Sequence, residues 1–177
     1  MTLSRVWSQS ALTRARKIRI FATLIESKLY YSLGSMALTV AQQARLNGFQ
    51  NRCIRTILGI KPAYYSRISN KTVLQQAAHP SATQILQKRR LQIFGHIMRT
   101  PLEHPMRSAC FISGTLWPTT EQYVRRVGRP RKEWVKQTIS ECAALFGSLD
   151  AAVALAKDKG TWNNLIHQKI SGVPLAR

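Results

Sequence analysis

The chain has 177 residues, with 27 Lys and Arg against 7 Asp and Glu and a net charge of +20. Hydrophobic residues make up 45% of it, enough for a packed core, which excludes a disordered polycation. Self-repulsion from such a charge opposes a compact state, so a polyanionic partner is expected, above all RNA or DNA.

Apolar spacing predicts helices almost throughout, hence an all-α fold. A first helix is expected from about Ser10 to Leu33, with Ile18, Phe21, Ile25 and Leu29 as its buried stripe. Arg5, Arg14, Arg16, Lys17 and Arg19 then form its basic face; an acid-free organellar leader is the alternative. Thr39 is expected to cap a second helix carrying Leu46, Phe49, Cys53, Ile57 and Ile60, ended by Gly59 and Pro62. Lys61 to Ser69 is predicted as a loop, with Tyr64 and Tyr65 packing over a helix end rather than stacking bases. Asn70 caps a short helix that His79-Pro80 breaks, and Ser81 caps the next, with Leu86, Ile93 and Ile97 on one face. Gly95 lies inside that helix, where it costs about 1 kcal/mol relative to Ala, so another backbone is expected to approach it closely.

From Pro101 to Pro130 prolines and glycines replace the pattern. Order returns with Pro130 at a helix start; Trp134, Ile139, Cys142 and Phe146 follow as its stripe, with Gly147 as its end. Ser148 caps a short Ala-rich helix, and a last helix after Gly160 turns Trp162, Leu165 and Ile166 inward. The expected organisation is two small helical lobes, 1–100 and 131–177, joined by an irregular basic connection at 101–130.

Between Glu26 and Glu103 lie eleven basic residues and no carboxylate. The seven acids never occur as Asp-Asp or Asp-x-Asp, so two-metal phosphoryl transfer has no local equipment. No Gly-rich phosphate loop is present. Cys53, Cys110 and Cys142 are far apart and do not pair with His79, His96, His104 or His167 at zinc spacing, so reduced thiols and no metal site are expected. The chain is thus expected not to be an enzyme on its own and to need no cofactor. No charge-free run exceeds 16 residues, and Leu29 to Ala44, of that length, is interrupted by polar ones, too short for a membrane span. An intracellular protein, nuclear or cytoplasmic, with an organelle as the alternative, is the corresponding expectation.

The candidate nucleic-acid contacts are basic. Lys88, Arg89 and Arg90 are consecutive in a helix and cannot share one face; His96 and Arg99 follow on the same helix. Arg125, Arg126, Arg129, Arg131 and Lys132 lie in an extended Gly- and Pro-containing segment suited to following a phosphate backbone. This segment resembles an AT-hook, Arg-Gly-Arg-Pro, with Val127 in place of the first Arg.

Four segments together resemble a known family. Phe49-x-x-x-Cys53-Ile54-Arg55-x-Ile57-Leu58-Gly59-Ile60 is similar to the "rrcLRxILGI" segment of non-LTR (LINE-type) retrotransposon reverse transcriptases. Arg89-Arg90-Leu91-x-x-Phe94-Gly95-His96-x-x-Arg99 resembles their "RRLxWfGHvxR" segment. Gly128-Arg129-Pro130-Arg131-Lys132-x-Trp134 resembles "GRPrkrW", and Asp158-Lys159-x-x-Trp162-x-x-Leu165 resembles "DRxxWrxL". Order and spacing agree across nearly the whole chain. The resemblance implies the thumb and post-thumb region of such an enzyme, which helps hold an RNA template or primer–template duplex. The palm, with its Tyr/Phe-x-Asp-Asp motif, is expected before Met1 and has no counterpart in this sequence; nor has an endonuclease domain. The partners implied are RNA or DNA and a separate palm or ribonucleoprotein. The alternative is a structural RNA-binding scaffold of a ribonucleoprotein.

Overall fold

The computed structural model describes residues 4–123, 127–128 and 133–171. These form α-helices joined by short π and 3-10 turns, with no strand beyond an isolated bridge between Phe111 and Pro118. Among the described residues the protein is all-α, as the apolar spacing predicts.

Two compact units divide the chain: Met1–Leu33 with Leu38–Leu86, and Gly34–Ala37 with Gln87–Arg177. The division falls inside one helix, between Leu86 and Gln87, rather than in the 101–130 connection. The cores explain this. Ala82 and Leu86 are buried with Tyr30 and Leu38, whereas Leu91, Phe94, Ile97 and Met98 are buried with Trp162.

The first unit contains α1 (Ser4–Ser8), α2 (Arg14–Phe21), α3 (Ser27–Leu29), α4 (Val40–Leu58), α5 (Ala63–Ser66), α6 (Asn70–Gln76) and the start of α7 (Ala82–Arg99). Thr13 caps α2, which runs through a π-helical turn at Ala22–Glu26 into α3. The wider turn advances the buried face by one residue. The inward positions become Ile18, Phe21, Glu26 and Tyr30, and Ile25 and Leu29 of the expected stripe are only half-buried.

Thr39 caps α4 in a reciprocal box with Gln42, and Gly59 ends it at φ 71°, a left-handed conformation suited to glycine. The buried face of α4 differs from the expected stripe: Ile54 and Ile57 are buried, Phe49 is exposed, and polar Gln50, Asn51 and Arg55 point inward. Ser69, not Asn70, caps α6. Ser81 caps α7 reciprocally with Gln84.

The second unit gathers α8 (Pro105–Cys110), a 3-10 turn at Thr119–Gln122, α9 (Trp134–Phe146), α10 (Leu149–Ala156) and α11 (Lys159–Ser171) around the second half of α7. The irregular stretch thus holds one more short helix, α8, with Pro105 at its start. The expected helix start at Pro130 lies outside the described residues. Gly147 ends α9 and Ser148 caps α10. Trp162 is fully buried between Phe94 and Phe146, with ring centroids 6.0 and 4.9 Å away.

Candidate nucleic-acid interface

The first unit's only carboxylate is Glu26, and it is 4% exposed. Its described surface therefore carries positive charge alone. Arg14, Arg16 and Arg19 on α2, Lys28 on α3, Arg45 and Arg52 on α4, Lys61, Arg67 and Lys71 are all exposed. Arg45 and Arg52 stand two turns apart on α4, so they project from one side of it. Lys17 is the exception among the early cations: it is buried, and Nζ donates to the Trp7 carbonyl at 2.6 Å.

Buried polar side chains hold this surface together. Gln50 Nε2 donates to Glu26 Oε1 (2.8 Å) and to the Pro80 carbonyl (3.0 Å), while Gln50 Oε1 accepts the Ala82 N–H (2.7 Å). Asn47 Oδ1 accepts the Thr83 N–H at 3.2 Å, so α4 supplies acceptors to the free donors opening α7. His79 Nε2 lies 3.2 Å from Glu26 Oε2, and Nδ1 lies 2.9 Å from the Pro80 carbonyl. Burial alone would lower the His79 pKa. The hydrogen bond and charge of Glu26, with the Pro80 carbonyl, outweigh it and leave the pKa raised.

Arg55, 5% exposed, organises the loop after α4. Its guanidinium donates to the Lys61 carbonyl (3.1 Å), Ser66 Oγ (3.3 Å), the Ile68 carbonyl (2.6 Å) and Asn70 Oδ1 (3.0 Å). All four acceptors are neutral. Beside this loop an open groove of about 410 Å³ is lined by Gly48, Asn51, Arg52, Arg55, Thr56, Ile60, Pro62, Ala63 and Asn70.

In the second unit the candidate contacts separate. Arg90 is 2% exposed, and Nη1 bonds Glu141 Oε1 at 2.5 Å. This corrects the expectation of a phosphate contact: the guanidinium faces α9 in the interior. Desolvation lowers the Arg90 pKa against the pull of Glu141 and raises that of Glu141 against Arg90 and Gln137. Arg99 Nη1 donates to the Ala156 carbonyl at 2.7 Å, satisfying the end of α10. Lys88 and Arg89 are half-buried, and His96 is exposed. Arg125, Arg126, Arg129, Arg131 and Lys132 lie outside the described residues.

Gly95 does face a close neighbour, but a side chain rather than a backbone. A Cβ there would meet Trp162 Nε1 at 2.3 Å. That indole N–H donates to the Leu91 carbonyl, one turn earlier on α7, at 2.9 Å.

Runs of adjacent cations stand out in the sequence, whereas the exposed Arg45, Arg52 and Lys71 do not. These are isolated in sequence. Their signal was the lack of any acid between them, which leaves each one uncompensated. Burial raises the pKa of Cys53 and Cys110, and burial with Glu141 pushes Cys142 up to about 12, which disfavours the thiolate form. Among the described residues no three His, Cys, Asp or Glu side chains gather to hold a metal, and no single helix is long and apolar enough to cross a membrane. Comparison with family models, with curated proteins and with solved structures gives no match to this chain.

Proposed function

We propose that the chain is a nucleic-acid-binding domain, similar to the thumb and post-thumb region of a non-LTR retrotransposon reverse transcriptase and not catalytic alone. The observation that carries this reading is the first unit's surface, where every described charge is positive and the one carboxylate is inside. Lys88, His96, Arg125, Arg126, Arg129, Arg131 and Lys132 are proposed as further contacts, with Arg89 beside them; Arg90 and Arg99 are not, because their guanidinium groups serve the interior and a helix end.

Residues of the resembling segments have structural roles in the fold. Gly95 of the second segment accommodates Trp162 of the fourth, and a larger residue at 95 would exclude the indole. Arg55 of the first segment pins the loop that follows it. Asp158 of the fourth segment accepts the Thr161 N–H at 2.6 Å and so caps α11.

Phosphate binding releases counterions, so log affinity should fall with log salt with a slope of roughly −0.7 to −0.9 per phosphate neutralised. A salt titration against single-stranded, duplex and hybrid substrates tests this. Undetectable or salt-insensitive binding contradicts the reading.

A further inference from the structure

The loop held by Arg55 presents two tyrosines to solvent. Tyr64 is 75% exposed and Tyr65 72%, on the four-residue helix α5. The expectation that they pack over a helix end does not hold. Their rings meet edge to face, 5.2 Å apart at 86°, and the Arg67 guanidinium sits 5.6 Å from the Tyr64 centroid. Arg67 adopts φ 56°, a left-handed conformation that is strained for a residue other than glycine. The interior spends the donors of a buried arginine on fixing this loop, yet the rings gain almost no burial from the chain itself. Exposed aromatics among uncompensated cations match what unpaired bases need: a flat face to stack on beside charge for the phosphate.

The neighbouring groove adds room for the backbone. It shares Pro62 and Ala63 with the tyrosine loop and carries exposed Arg52. Its 410 Å³ lies within the range of small-ligand sites. Gly48, within α4, lines it, and a Cβ there would meet nothing within 4 Å. No packing inside the unit requires that glycine. It leaves the helix backbone open to the groove.

We propose that the Tyr64–Tyr65 loop is a stacking platform for the bases of a single-stranded nucleic acid, whose phosphates pass along the groove at Arg52. A duplex keeps its bases stacked on each other and offers no free face, so this site selects unpaired strand. The inference rests on the nucleic-acid reading above and specifies its substrate.

The test measures binding of the full chain to a single-stranded oligonucleotide and to a hairpin duplex of the same composition, at several salt concentrations. Tyr64→Ala and Tyr65→Ala should each weaken single-strand binding about 5- to 150-fold and leave duplex binding and the salt slope unchanged. Tyr64→Phe and Tyr65→Phe should bind nearly as wild type. Arg52→Gln should reduce the single-strand slope by about 0.7. Gly48→Ala should make the protein more stable yet bind single strands more weakly. If the wild-type chain binds but the double alanine variant loses nothing, or the phenylalanine variants lose as much as the alanine ones, this inference alone fails. If the wild-type chain binds neither substrate, both readings fail.

Discussion

At the scale of single residues, Gly95 and His79 make the sharpest demands. Trp162 is fully buried, wedged between two phenylalanines and hydrogen-bonded to Leu91, so it has nowhere to move when a methyl appears at position 95. Alanine is the better helix former by about 1 kcal/mol, but overpacking a closed core costs about 1–3 kcal/mol. Gly95→Ala should therefore lower the unfolding midpoint in denaturant and shift tryptophan emission. A midpoint raised by the helix-propensity gain would show that the indole can step aside. His79 gives a pH dependence of known sign. Its folded pKa is raised above the ordinary 6.5, so its contribution is fully present below that value and is lost as pH rises through the folded one. Stability of the wild-type chain should fall on the alkaline side of 6.5, and His79→Gln should flatten that part of the profile. A profile equally steep in the variant would assign the effect elsewhere.

At the scale of elements, α7 and α9 are joined by the Arg90–Glu141 pair. Burial shifts both groups toward their neutral forms despite their attraction, and Arg90 Nε and Glu141 Oε2 have no partner. Such a pair fixes how two helices meet more than it stabilises them. Arg90→Met alone should cost about 1–3 kcal/mol, because it leaves the half-buried Glu141 carboxylate without its cation. Arg90→Met with Glu141→Leu should recover most of that in urea unfolding. A double variant as unstable as the single one would mean the pair is a net source of stability.

Helix ends were legible because their chemistry is local. Thr39 with Gln42, Gly59, Ser81, Gly147 and Ser148 lie within a few residues of the groups they satisfy. The inward turn of Gln50 and Arg55 was not legible, since their partners lie 6 to 32 residues away in sequence. Nor was the π turn in the first helix, which brings Glu26 into the interior. Periodicity assumes 3.6 residues per turn and cannot register one extra residue. The candidate site was half legible for the same reason. Total charge suggests a polyanionic partner, whereas separating the cations that face solvent from Lys17, Arg55 and Arg90, which do not, requires the packed structure.

For the whole molecule, the first unit is the part whose one carboxylate is buried. A surface with no carboxylate carries no internal compensation, so its stability should rise with added salt while its affinity for a polyanion falls. The most direct test of the nucleic-acid reading compares salt slopes for three forms of the chain on one single-stranded substrate. The first is wild type; the second carries Arg45→Gln, Arg52→Gln and Lys71→Gln in the first unit; the third carries Lys157→Gln, Lys159→Gln and Lys169→Gln in the second, an equal loss of exposed charge. We expect a steep wild-type slope, reduced by about 2 to 3 in the first-unit variant and nearly unchanged in the second-unit variant. A flat wild-type slope, or equal losses in the two variants, would contradict the assignment of this surface to nucleic acid.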